Sequence, residues 1–222
     1  MVTIKQGDAK DTVRLLLSRH GKLFSEEIGI DLASNSPSEL FCWLLASLLF
    51  STRISHAIAS KSARVLIQRG WRTPQALART TWQERVTALD EGGYVRYDER
   101  TSTMLGHDAE LLIERYDGDL RNLREEAARD PARERSLLME LKGIGEVGVN
   151  IFFREIQLVW PELFPFADAR TLADARSLRL PASPEALRRL VRGRRDFVRL
   201  VSALVRLRLE HKHEDLREVL AA

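Results

Sequence analysis

The residues with the clearest potential for chemistry lie in the stretch LKGIGEVGVNIFF, residues 141–153. Gly143 and Gly145 can both adopt φ > 0, and Ile144 between them can anchor a turn in the core. Leu141 is expected to end one helix and the next to begin at about Glu146. Val149, Phe152, Phe153, Ile156 and Trp160 then recur at i, i+3, i+4, i+7 and i+11 as one apolar face. The first amides of such a helix lack internal partners and carry partial positive charge. With no Cβ at the turn, a phosphate can approach them closely. Gly148, one turn in, costs roughly 1 kcal/mol of helix propensity, which suggests tight packing against it. A plain glycine-capped corner between two helices would read the same way, so the hairpin alone leaves both possibilities open.

Other residues carry weaker signals. Asp168 precedes ARTLADARSL, where an aspartate serves well as a helix N-cap, and Asp174 within it reads as a surface residue. Tyr94, Arg96 and Tyr97 follow two glycines and suit either base stacking or packing at a helix start. Arg188, Arg189, Arg192, Arg194, Arg195 and Arg199 are dense enough to hold phosphates, or to form a solvated helix face. Cys42 and Trp43 lie in an apolar run and read as core. His56, His107 and the pair His211/His213 have no third partner at ligand spacing, so no transition-metal site is expected.

The elements that must position these groups are helical. Of 222 residues, 44% are hydrophobic, enough for a substantial core in one large domain or two small lobes. Net charge is only +3, so contact with a polyanion must come from clustering rather than bulk charge. Cys42 is the single cysteine, which excludes an intrachain disulfide and an iron–sulfur cluster. The start MVTIKQGDAK lacks an apolar signal core. The most apolar stretch, residues 39–50, is much shorter than the ~20 residues that span a bilayer. A cytoplasmic protein with no membrane contact is expected.

Leu15–Leu17 fall in a short first helix, and residues 34–40 form a capping loop. The apolar stretch follows as a buried central helix, then a helix over His56–Arg69 that stops at Gly70. Thr73-Pro74 starts another, Trp82–Asp90 makes a short one, and Leu105 to Tyr116 has helical spacing ended by Asp117-Gly118. A charged stretch, 122–135, leads into Leu137–Leu141. A proline-punctuated loop spans 161–167, Ser183-Pro184 is a start signal, and two arginine-rich helices close the chain. The expectation is an all-α fold.

LKGIGEVGVNIFF resembles the helix–hairpin–helix of the endonuclease III-type DNA glycosylase superfamily, the HhH-GPD proteins. SPSELFCWLLASLLFSTRISHAIASKSARVL resembles its first barrel helices, and EGGYVRYDERTSTMLGHDAELLIERYDGDL the helix after its mid-domain turn. FPFADARTLADA (164–175) resembles the segment carrying its essential aspartate, and together these cover roughly residues 35–180. The resemblance implies a two-lobed helical protein. A six-helix barrel lobe would span 36–160 and contain the hairpin motif at about 137–158; residues 1–35 and 161–222 would form the second lobe. The partner would be double-stranded DNA containing a damaged or mispaired base, bound by a monomer associated with the nucleoid, with one nucleotide flipped into a pocket. Lys142, Gly143, Ile144, Gly145, Val147 and Gly148 would contact the DNA backbone. Carbonyls of Leu141, Gly143 and Ile144 would be the donors to a Na⁺ or K⁺ ion.

Asp168 falls on the family's aspartate and would stabilise the positive charge that develops on the sugar, or orient a water. Bifunctional relatives carry a lysine nucleophile where this chain has Val147, so a monofunctional hydrolase with weak or no lyase activity is implied. The family's cluster cysteines are absent. Thr52 stands where many relatives have a gap-filling glutamine, and Arg53 beside it is the alternative plug. A non-catalytic DNA-structure binder that keeps the hairpin is the second expectation.

Overall fold

The computed structural model describes residues 6–210, with side chains from residue 9; His211 and His213 lie outside the described residues. The described residues contain thirteen α-helices, two 3₁₀ turns and no strand, so the chain is all-α. In order they are α1 (Gln6–His20), α2 (Phe24–Glu27), α3 (Pro37–Ser51), α4 (His56–Gln68), α5 (Pro74–Ala78), α6 (Trp82–Gly92) and α7 (Asp98–Tyr116). There follow α8 (Leu120–Glu126), α9 (Pro131–Leu138), α10 (Glu146–Ile156), α11 (Ala169–Ser177), α12 (Pro184–Arg188) and α13 (Gly193–Leu209).

Local chemistry sets most boundaries. The Ser36 hydroxyl accepts from Glu39 N–H with Pro37 in the first turn, which starts α3; Ser55, Thr73 and Thr81 cap α4, α5 and α6 in the same way. Asp117 in the left-handed region, then Gly118, ends α7. The charged stretch 122–135 is not a plain lead-in: α8 occupies part of it and α9 begins within it. Asp119 and Asp130 cap these two helices, and Leu120, Leu123 and Leu138 supply their buried faces. The first helix of the hairpin ends at Leu138 rather than Leu141, because Leu141 N–H already turns back to Leu138 O at 3.2 Å.

Every residue of α3 from Leu40 to Leu49 is buried, and the helix packs against α4 and α10. It belongs to a large apolar cluster built from α2 through α10, in which Phe152 packs edge-on to Trp160 with ring centroids 5.7 Å apart. A smaller cluster gathers Val13 and Leu16 of α1, Ala175 and Leu178 at the end of α11, and the inner face of α13. Phe24, Ile28, Ile30 and Leu32 pack with the larger cluster although they precede residue 36. The helix α13 touches α1, α10, α11 and α12, and its Val205 reaches into the larger cluster. Among the described residues, no helix is long and apolar enough to cross a membrane.

Candidate nucleic-acid interface and cavity

The turn between α9 and α10 is shaped by one glycine in particular. Gly143 has φ +82°, a conformation that strains any side chain, and a Cβ there would lie 2.8 Å from Met104 Sδ. Gly145 differs from its expectation: it is extended, with φ −102°, and serves as the N-cap of α10. Its Cβ position faces open space, so the absence of a side chain leaves the first amides of α10 accessible. Gly148 also departs from expectation, since a Cβ there would make only ordinary contacts of 3.4–3.7 Å with Ile144 and Ser51. Ile144 is buried as the anchor, and its N–H donates to Leu141 O at 3.2 Å, so that carbonyl is already an acceptor within the turn.

The turn is tied to the body by a residue that sequence reading passed over. Asp108 on α7 is buried, and its Oδ1 accepts the backbone N–H of Lys142 at 2.7 Å. Burial outweighs the favourable bonds from Lys142 and His107 and pushes this carboxyl up to about 6. The Lys142 side chain is exposed. Glu146, in the first turn of α10, pairs with Arg135 at 2.7 Å, and Arg135 also donates to Asn150 Oδ1 at 3.0 Å. That carboxylate complements the helix dipole but competes with any phosphate at the same amides.

Beside the turn, against the larger apolar cluster, lies a cavity of about 190 Å³ whose further wall comes from α11 and α13. Val147, Ile151, Arg154 and Glu155, at i, i+4, i+7 and i+8 of α10, form one wall. Phe24, Phe50 and His56 form an aromatic wall, with ring centroids 5.0 Å apart for Phe24–His56 and 5.1 Å for Phe50–His56. Trp43 is both core and cavity floor: it is 1% exposed, and its Nε1 donates to Phe152 O at 3.1 Å. Burial lowers the His56 pKa, so its ring is neutral at pH 7. Val147 and Leu209, 41% and 43% exposed, are apolar lips at the mouth.

Glu155 is 1% exposed. It accepts Phe24 N–H at 2.7 Å, Ser25 N–H at 3.0 Å and Ser202 Oγ–H at 2.9 Å, so one carboxylate joins α2, α10 and α13. Burial raises its pKa against these three donors.

Asp168 caps α11. Its Oδ1 accepts Arg170 N–H at 3.1 Å and Thr171 N–H at 3.3 Å, and its Oδ2 accepts Thr171 Oγ–H at 2.9 Å and Arg154 Nε–H at 2.5 Å. Burial alone would raise this carboxyl. The Arg154 guanidinium and the Thr171 bonds more than offset that and hold it below the usual carboxylate range. The group is therefore an anion at neutral pH, and two of its partner residues, Arg154 and Arg170, line the cavity. Asp174 is not a surface residue. It is buried where α11 packs on α13, accepts from Arg208 at 2.7 Å, and is pushed by burial up to about 6.

Thr52 caps the C-terminus of α3, with its N–H on Leu49 O at 3.4 Å and its carbonyl accepting Ile54 N–H at 2.8 Å. Arg53 beside it is exposed and has no ion pair among the described residues, while Ile54 lines the cavity. Tyr94 is core rather than a stacking platform: it is fully buried with its hydroxyl on Leu49 O at 3.3 Å. The C-terminal arginines are largely engaged. Arg199 donates to Gly21 O and Leu17 O, Arg195 pairs with Glu26, and Arg194 and Arg188 lie over the Phe164 ring. Cys42 is buried and its thiol is pushed up to about 12, which leaves it inert. No family model, curated protein or solved structure matches this chain.

The groups missed in the sequence are Arg154, Glu155, Arg208 and Asp108. A signal existed for the first two: Arg154-Glu155 interrupts the apolar run between Phe153 and Ile156. Charged side chains on the buried side of an amphipathic helix need partners there.

Proposed function

We propose that this protein is a monofunctional DNA glycosylase that hydrolyses the N-glycosidic bond of a damaged or mispaired base in duplex DNA, as its resemblance to the HhH-GPD proteins implies. In this reading the two apolar clusters mark the two lobes. DNA lies across the mouth of the cavity, and the turn at Gly143–Gly145 grips a phosphate through the open amides of α10. The flipped base enters the cavity and lies against the wall formed by Phe24, Phe50 and His56. Asp168 is the catalytic carboxylate and stabilises the charge that grows on C1′ as the base departs. Val147 offers no amine for a Schiff base, so hydrolysis by water is the only route, and borohydride should trap no adduct at an abasic site.

The observation that carries this reading is an aspartate held ionised one residue behind the wall of a cavity that also opens to the first turn of the hairpin's second helix. The second reading, a non-catalytic DNA-structure binder, is favoured by one feature. Both oxygens of Asp168 are fully engaged, and the 2.5 Å bond from Arg154 offsets its charge. Base release from duplexes carrying a panel of lesions separates the two. Asp168→Asn is expected to lose release by about 10²-fold or more while keeping duplex binding. Its melting temperature should fall, because asparagine can still cap α11 but leaves the buried Arg154 guanidinium without its carboxylate, so release and binding are compared below that lower transition. No release by the wild type from any lesion would leave the binder.

A further inference from the structure

The donors and acceptors around the cavity are lopsided. Among the described residues Glu155 is its one carboxylate wall group, and both its oxygens are taken by Phe24 N–H, Ser25 N–H and Ser202 Oγ–H. The donors are not used up. Arg154 spends Nε–H on Asp168, and its two terminal nitrogens make no hydrogen bond among the described residues. Arg170, at the same wall, is exposed and has no ion pair among the described residues. Arg208 has one nitrogen on Asp174. An occupant therefore meets both guanidinium donors and aromatic faces. A cationic occupant would have to sit beside three guanidiniums, of which Arg170 has no ion pair among the described residues, and this is unfavourable.

We propose that Arg154 is a specificity-determining residue that reads the base in this cavity, and that the base is neutral with two adjacent acceptors, the carbonyl–ring nitrogen pair of an oxopurine. Asp168 positions it by holding Nε, so that the terminal N–H groups form a fixed fork. A guanidinium fork matches O6 and N7 of such a base with two parallel hydrogen bonds. A purine methylated at N7 fails twice, since one acceptor is blocked and the ring is positive. The aromatic wall takes the flat face of either base and does not discriminate.

The inference rests on the cavity holding a flipped base, so its test reads binding apart from hydrolysis. Three duplexes serve as probes: one with 2′-fluoro-deoxyinosine, which resists cleavage, one with 2′-fluoro-N7-methyldeoxyguanosine, and one undamaged. The full chain is expected to hold the first about tenfold or more tighter than the other two. Arg154→Lys keeps a cation for Asp168 but lacks the fork, so that preference should vanish with no change in melting temperature. Should Arg154→Lys melt lower, the double variant Arg154→Gln/Asp168→Asn replaces the buried ion pair with a neutral hydrogen-bonding pair and gives the same readout. Equal or tighter binding of the N7-methyl probe, or a preference that survives in these variants, overturns the inference. Release of hypoxanthine from an ordinary deoxyinosine duplex is scored separately. A binding preference without release sinks the hydrolase and leaves the role of Arg154 standing. Release with a preference indifferent to residue 154 does the reverse.

Discussion

Glu155 and Asp168 are both buried carboxylates beside one cavity, and their surroundings give them different work. Asp168 gains a guanidinium at 2.5 Å and stays an anion; Glu155 gains only neutral donors and is raised by burial. The three donors on Glu155 come from Phe24, Ser25 and Ser202, and all three lose their acceptor when it is removed. Glu155→Ala therefore leaves buried N–H and O–H groups unpaired as well as a void. We expect a loss of about 3–5 kcal/mol in chemical denaturation, far more than for a change at exposed Arg53. A loss below about 1 kcal/mol would mean that water satisfies those donors. Asp168 and Val147 draw notice in the sequence because the resemblance aligns each with a family position. Arg154 is legible only as a charge that interrupts an apolar run; that it meets Asp168 depends on which side of α10 meets α11, a matter of packing.

The hairpin element shows how one buried acid fixes a turn. Asp108 holds Lys142 N–H, and its carboxyl, ordinarily near 3.8, is raised to about 6. Between those two values the folded chain keeps a proton that the unfolded chain has released. Stability from this group is therefore greatest below about pH 4 and falls as pH rises towards 6, by roughly 3 kcal/mol at most. The groups facing it are His107 and Lys142. Asp108→Asn keeps an acceptor for Lys142 N–H and removes the titration. Its melting temperature is expected to vary less steeply between pH 4 and 6 than that of the wild type, with the contribution of Asp174, also raised to about 6, remaining in both. An unchanged slope would mean that Asp108 does not titrate in this range. The turn itself was readable from its glycines, yet only Gly143 uses a positive φ. Gly145 and Gly148 are permissive positions whose conformation the chain direction decided.

At the scale of the molecule, charge is spent on holding the fold together. Arg206 pairs with Glu27 at 2.8 Å and donates to Lys22 O at 3.0 Å, Arg124 grips Glu162, and Arg199 reaches the end of α1. Near the turn and the cavity mouth, the exposed basic groups without an ion pair among the described residues include Lys142, Arg53 and Arg170. If these three carry the phosphate contacts, the logarithm of the duplex affinity should fall with log salt at a slope of about −3. A slope twice as steep would bring the C-terminal arginine helices into the interface and remove them from a purely structural role.

The sequence by itself determined that the chain is all-helical, where most helices start, and that a glycine turn precedes an amphipathic helix, because caps, prolines and the 3.6-residue period act over a few neighbouring residues. The tertiary structure alone decided that Asp174 and Tyr94 are buried, that Arg199 and Arg206 of α13 grip backbone carbonyls, and that Arg154 meets Asp168. Burial and ion pairing depend on which faces of distant helices come together, and no local spacing encodes that.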